Sequence, residues 1–417
     1  MPSTSRRGLV LGGVVALLAS GCSGEPIETR PTDVPSSAGS LAPVPTGGTV
    51  TRLSATATTD TVAPARLADR SAVEPAAGGL EQVVALAPDG RVLRAASATP
   101  RGDDLLGAVS VDLADPAHPD DRTSVRGPSE APAQVTAADV VGETVAWRET
   151  TSTNLDVEDW EVWAAVDGGA AVRVADSGDG DSGDGDSGDG DSGDGDAEPP
   201  PYVPDGSSLA TTADAAYWTV ARWEGEQRVL GIVSAPLREG AKVATVAEGA
   251  RNPTVVGDTL VHAAGQPLGA DLPEGVWEIR RRDAAGAGDV LARIGPTGWG
   301  VSAVCAGEGH VAWALADDAA GRIVDLDLTT GHRVEVTLAT PAQAPSLACG
   351  DDIVAWGSGS DEGDPGQYVL DRRAATVSRL GSAAGLSQVA AAGPWLAWTT
   401  FAKGADRATW QVARWQG

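Results

Sequence analysis

Lysine, histidine and cysteine are scarce in this chain, and each scarcity removes a class of function. Of 417 residues only Lys242 and Lys403 are lysine, and 58 acidic residues against 30 basic ones give a formal net charge of −28. Such a charge opposes association with nucleic acid or an anionic membrane surface. The four histidines (His118, His262, His310, His332) are scattered without metal-ligand spacing. Neither a Gly-x-Ser-x-Gly elbow, a P-loop nor a Cys-x-x-Cys pair occurs, so no catalytic constellation, cofactor or metal is indicated, and the chain is expected not to be an enzyme. Aromatics are few and almost all of one kind, 13 Trp against 3 Tyr and 1 Phe.

Those tryptophans carry the main pattern. A Gly or Asp turn followed by two or three apolar residues ending on Trp recurs as Gly142–Trp147, Gly309–Trp313, Asp352–Trp356 and Pro394–Trp398, with looser copies at Ala215–Trp218 and Asp258–His262. Repetition at roughly 40–50 residues signals a propeller or a solenoid. Each unit opens with a short apolar strand, turns into the tryptophan strand, crosses a polar loop and ends in two strands joined by a turn, as in Gly321–Leu328, Thr329-Thr330-Gly331 and His332–Leu338. Unit starts fall near Gln82, Gln134, Ser208, Pro253, Val301, Pro345 and Ser387.

The expected fold is therefore all-β, a β-propeller over residues 49–417 with seven four-stranded blades, six being the alternative. The seventh unit supplies three strands, and the alternating stretch Thr49–Ala55 is expected to complete it, removing an exposed sheet edge. Alternation places Val145 and Trp147 on one strand face and Ala146 on the other. Small Ala then lets one neighbouring blade approach while Trp147, Trp218, Trp313, Trp356 and Trp398 fill the wedge on the opposite side. Trp160, Trp223, Trp277 and Trp299 lie outside that position and are open to a ring-stacking role.

The N-terminal segment reads as an address. Arg6-Arg7 precedes the apolar stretch Leu9–Leu18, too short to span a bilayer and suited to a signal peptide, exported by the general or the twin-arginine route. It ends in Leu18-Ala19-Ser20-Gly21-Cys22, which resembles the lipobox of bacterial lipoproteins; the resemblance implies a signal peptide over 1–21 and lipidation of Cys22, with release as a soluble protein as the alternative. Residues 22–48, rich in Pro, Ser, Thr and Gly, form a flexible tether. The expected location is the extracytoplasmic face of the cell membrane, held by several fatty-acyl chains.

Cys305 and Cys349 lie 44 residues apart, about one repeat, at similar places before Trp313 and Trp356. In an oxidising compartment they are expected to form a disulfide, two separately buried thiols being the alternative. Between the second and third units, residues 176–201 contain the pentapeptide Asp-Ser-Gly-Asp-Gly four times. It reads as a solvated low-complexity loop; weak calcium screening by Asp176, Asp181, Asp186, Asp191 and Asp196 is the speculative alternative, because the array lacks EF-hand spacing.

With the Gly-Asp/Glu-x-Val-Ala-Trp phrase and the turn Asp327-Leu328-Thr329-Thr330-Gly331, the units resemble the repeats of TolB-like, WD40-like β-propellers of exported bacterial proteins. The Ser-Pro-Asp-Gly lead-in of many such repeats survives as Ala87-Pro88-Asp89-Gly90. The resemblance implies a binding platform for an envelope protein; a cell-wall component is the other expected partner, and the chain is expected to be monomeric. A propeller enzyme acting on cell-wall glycan or a related carbohydrate, with carboxylates at the channel mouth, is the alternative.

Overall fold

The computed structural model describes residues 44–55, 61–73, 80–97, 107–151, 156–178, 201–338, 346–358, 366–381, 388–400 and 409–417, short breaks at 46, 158, 205, 225–226, 284–285, 287, 297 and 318–319 excepted. The signal segment, Cys22, most of the tether and Asp181 to Asp196 lie outside the described residues.

Val, Ala, Ile and Trp alternate in short runs bounded by Gly and Asp, and these runs pair into seven antiparallel sheets that form the blades. Blade 1 contains Leu80–Leu86, Val92–Ser97, Val109–Asp115 and His118–Arg126; blade 2 contains Gln134–Val141, Thr144–Thr150, Trp160–Ala165 and Val172–Asp176. Blade 3 is Leu209–Thr211, Ala215–Glu224, Gln227–Pro236 and Ala244–Glu248; blade 4 is Ala250–Val256, Thr259–Gly265, Trp277–Arg282 and Gly288–Ile294. Blade 5 is Gly300–Gly307, His310–Ala316, Gly321–Asp327 and Arg333–Thr337; blade 6 is Ser346–Cys349, Ile353–Ser358, Gly366–Asp371 and Thr376–Gly381. In blade 7, Val389–Ala392, Trp395–Thr400 and Thr409–Trp415 are joined by Leu67–Val73.

The first strand of each blade touches the first strand of the next, and the seventh touches the first, so the sheets close into a ring. Blade starts agree with the sequence repeat to within a few residues. The seven-bladed reading holds over the six-bladed alternative.

Closure is made by an N-terminal strand, but not by the stretch with the cleanest alternation. Leu67–Val73 pairs antiparallel with Thr409–Trp415 and completes blade 7. The expected stretch, Val50–Ser54 within Thr49–Ala55, instead adds a parallel fifth strand to Arg333–Thr337 of blade 5. The physical reason is a bulge. Register shifts between Ala68 and Ser71, and Asp69 adopts φ +51°, so the closing strand loses its period of two exactly where a pattern search would seek it.

The wedge reading holds in detail. Trp147, Trp218, Trp313, Trp356 and Trp398 are fully or almost fully buried on the second strands of blades 2, 3, 5, 6 and 7. Each packs back on the preceding blade: Trp147 with Leu93 and Val111, Trp218 with Val162 and Ala164, Trp398 with Ile353 and Val369. The alanine before it faces forward, so Ala146 shares a cluster with Trp218, and Ala312 with Trp356. At the same strand position blade 1 carries Arg94 and blade 4 carries His262, both buried.

Tight turns and cross-blade hydrogen bonds hold the ring. Gly142 and Gly257 take left-handed φ of 63° and 58° in the turns before the second strands, a region open to glycine without cost. Gln82 Nε2 donates to the Val135 carbonyl at 3.1 Å, and buried Arg148 donates to Ser207 Oγ at 3.2 Å. Asp139 accepts the Thr211 N–H at 2.7 Å; burial pushes its carboxyl up to about 6, against the opposing effect of the Thr211 and Val140 N–H groups. His310 Nδ1 lies 2.6 Å from Asp325 Oδ1, its Nε2 donates to the Gly350 carbonyl at 2.7 Å, and Arg372 donates to Asp325 at 2.9 Å. Cys305 and Cys349 form a disulfide between the first strands of blades 5 and 6, with Cα atoms 5.6 Å apart.

Candidate functional site

Two short sequences, Trp147-Arg148-Glu149 and Glu161-Val162-Trp163, run antiparallel in blade 2. Their register sets Trp147 opposite Trp163 and Glu149 opposite Glu161, and opposite residues share one sheet face. The indoles stack with centroids 6.4 Å apart and an interplanar angle of 14°. Trp147 Nε1 donates to Glu149 at 2.7 Å, and Trp163 Nε1 donates to Glu161 at 3.0 Å. The result is a square of two rings and two carboxylates.

Three members of this square, Trp163, Glu149 and Glu161, line a groove of about 880 Å³ between the end of blade 1 and the outer part of blade 2, with Trp147 buried behind them. Five carboxylates line it (Glu130, Glu149, Asp159, Glu161, Asp176) against two guanidinium groups, Arg126 and Arg173. Arg126 lies over the half-buried Trp163 ring, 3.7 Å from its centroid, and pairs with Glu149. Arg173 pairs with Glu161 and Asp176, each at 3.2 Å. Glu130 and Asp159 are exposed and have no arginine partner among the described residues. Asp176 is thus engaged by Arg173 and by the Gly178 N–H, and no cluster suited to a metal ion occurs among the described residues.

The tryptophans set apart by sequence divide. Trp160 is buried edge-on against Trp218, 5.8 Å between centroids, and its Nε1 donates to Pro201 O. Trp277 is buried under Arg251, Trp299 is half-buried beside Arg322, and Trp223 is exposed. Trp163, the ring that faces the groove, escaped notice. Its signal was the reversed pair Trp-x-Glu and Glu-x-Trp, which becomes meaningful only when the strands are set in register.

No family model matches the chain, and no curated protein matches it in sequence. Solved structures do resemble it. A prolyl endopeptidase is 15% identical with a TM-score of 0.45, covering 80% of this chain and 47% of that one; puromycin hydrolase is 15% identical at 0.45, covering 78% and 48%. The β-propeller domain of the Trilobed protease from Pyrococcus furiosus is 10% identical at 0.43, covering 73% and 81%. The chain spans about half the length of the first two. At these identities the likeness concerns the fold alone. The expectation that the chain is not an enzyme is withdrawn, since the solved structures that resemble it are those of prolyl endopeptidases and puromycin hydrolase.

Proposed function

We propose that this protein is a lipid-anchored, extracytoplasmic β-propeller of the TolB-like, WD40-like kind, whose groove between blades 1 and 2 holds a basic segment of an envelope protein. The observation that carries this reading is the chain's own Arg126, stacked on Trp163 and paired with Glu149. It displays how the groove receives a guanidinium, with an indole face below and a carboxylate beside it. Glu130 and Asp159 offer further carboxylates to an incoming chain. The anchor rests on the lipobox-like sequence at Cys22, and the tether gives the propeller reach from the membrane.

Cross-linking in intact membranes followed by mass spectrometry tests the platform. One recurrent envelope partner is expected, with cross-links at the groove that disappear in Glu130→Arg/Asp159→Arg; absence of a partner, or one indifferent to those changes, overturns it. Cys22→Ala should leave the protein unacylated and shed from the membrane.

A second reading has its own observation. Glu149 and Glu161 stand directly opposite each other in the strand register beside an aromatic face, and glycoside cleavage uses a pair of carboxylates. Under that reading the protein is a propeller enzyme acting on cell-wall glycan or a related carbohydrate. Glycan turnover by the purified protein, lost in Glu149→Gln and in Glu161→Gln, would select it over the platform.

A further inference from the structure

Imidazole is smaller than indole, and in blade 4 the difference is not filled by neighbours. Where five other blades hold tryptophan, His262 borders a cavity of about 400 Å³ between Ala244–Glu248, the outer strand of blade 3, and the last three strands of blade 4. His262 is 4% exposed, and its Nδ1 has no hydrogen-bond partner among the described residues. Arg280 stands opposite His262 in the register, and Arg282 lies two residues further on, so both belong to its face of the sheet.

The cations around this cavity differ in how they are satisfied. Arg280 donates to Glu278 at 2.8 Å, and Arg281 donates to Asp289 at 2.5 and 2.9 Å. Arg282 donates to the Val246 carbonyl and has no carboxylate partner among the described residues. Gly286, at φ +85°, also lines the cavity, and a Cβ there would lie 2.9 Å from Arg282 Nη2. Glycine thus leaves the guanidinium uncrowded. In a chain of net charge −28, Arg280 and Arg282 meet a buried imidazole with an idle nitrogen, while Arg281 is taken up by Asp289.

We propose that the cavity between blades 3 and 4 binds a compact oxyanion, a phosphoryl or carboxylate group, held by Arg282 and Arg280 and by Nδ1 of His262. Guanidinium groups recognise both chemistries through paired N–H donors, and a cavity of this size admits a small group without rearrangement of the blade. The charged groups around the cavity that His262 borders are Arg280 and Arg282 on its own sheet face, the Arg281–Asp289 pair, and Glu248 of blade 3, itself 3.3 Å from Arg222. Burial first, then Arg280 and Arg282, hold the imidazole down to about 4. A bound anion offsets that cationic field and raises the imidazole pKa. Binding therefore takes up a proton and, for an anion that keeps its charge such as the phosphate monoanion, strengthens as pH falls toward 4, by at most about tenfold per pH unit; a carboxylate loses that gain as it protonates in the same range.

The test is histidine-selective NMR of the purified protein, following the His262 imidazole during titration with inorganic phosphate and, separately, acetate. The expected result is a saturable shift with a rise in the His262 pKa of about one unit or more. Response to phosphate alone, acetate alone or both identifies the oxyanion. Arg282→Gln, at a partly exposed site, should weaken binding about tenfold while the thermal midpoint is kept. His262→Trp, which installs the side chain used in the other blades, should abolish it. No saturable response to either anion, or an equal response in Arg282→Gln, overturns the proposal.

Discussion

Blades 2 and 4 place different side chains at the same point of the same strand. In blade 2 Trp147 is fully buried against blade 1, and its N–H is taken by Glu149. In blade 4 His262 is buried just as deeply but leaves a cavity and an idle ring nitrogen. The difference separates two demands on one position. Filling the wedge between diverging sheets needs volume, which indole supplies; a polar side chain there gives up packing and acquires chemistry.

The largest effect that would break this comparison comes from emptying a filled wedge. Trp313→Ala removes a ring packed against Val261 and Ile279 of blade 4, and should lower stability by about 3–5 kcal/mol in urea unfolding. His262→Ala should cost clearly less, since its surroundings are already open; equal costs would mean that volume is not what the position supplies. Next comes the seam between blades 5 and 6, where wedge and disulfide act together. Cys305→Ser/Cys349→Ser should cost about 2–4 kcal/mol, read by the same unfolding curve.

A smaller effect sharpens the comparison through pH. Asp139 keeps its proton up to about 6 in the folded protein, so its contribution to stability falls as pH rises from 3.8 to about 6. His262 runs the other way: unfolded chains protonate near 6.5 and the folded protein only near 4, so stability falls as pH drops through that window. The two slopes oppose each other. Asp139→Asn should expose the His262 slope, a loss on the order of 2 kcal/mol on acidification from pH 6.5 to 4, and His262→Trp should expose the reverse. The smallest expected effect is that of Arg52→Ala. Arg52 is largely exposed and pairs with Glu335 at 3.3 Å on the accessory strand, so the change should cost under about 1 kcal/mol, whereas Ser71→Pro in the closing strand should cost several times more.

Much of the fold was legible because its information is local. The Trp phrase fixes one strand per blade, Gly and Asp mark the turns, and the 44-residue spacing of Cys305 and Cys349 follows the repeat. The candidate groove was not legible. Trp163 and Glu161 look like ordinary alternation until pairing sets them opposite Trp147 and Glu149, and Arg126 reaches them from another blade. Trp160 misled for the opposite reason, since a ring outside the repeat position still found a buried partner in Trp218.

By itself the sequence determined a repeated blade and which side chains separate one blade from the next, since alternation and turn chemistry act over a few residues and recur at each repeat; the count of seven over six was decided by the tertiary structure. Tertiary structure alone decided which N-terminal strand closes the ring, and where carboxylates, arginines and an idle imidazole gather. Those outcomes depend on register between distant segments. A bulge at Asp69 hides the closing strand from any period of two, while Val50–Ser54 shows that period plainly and pairs elsewhere.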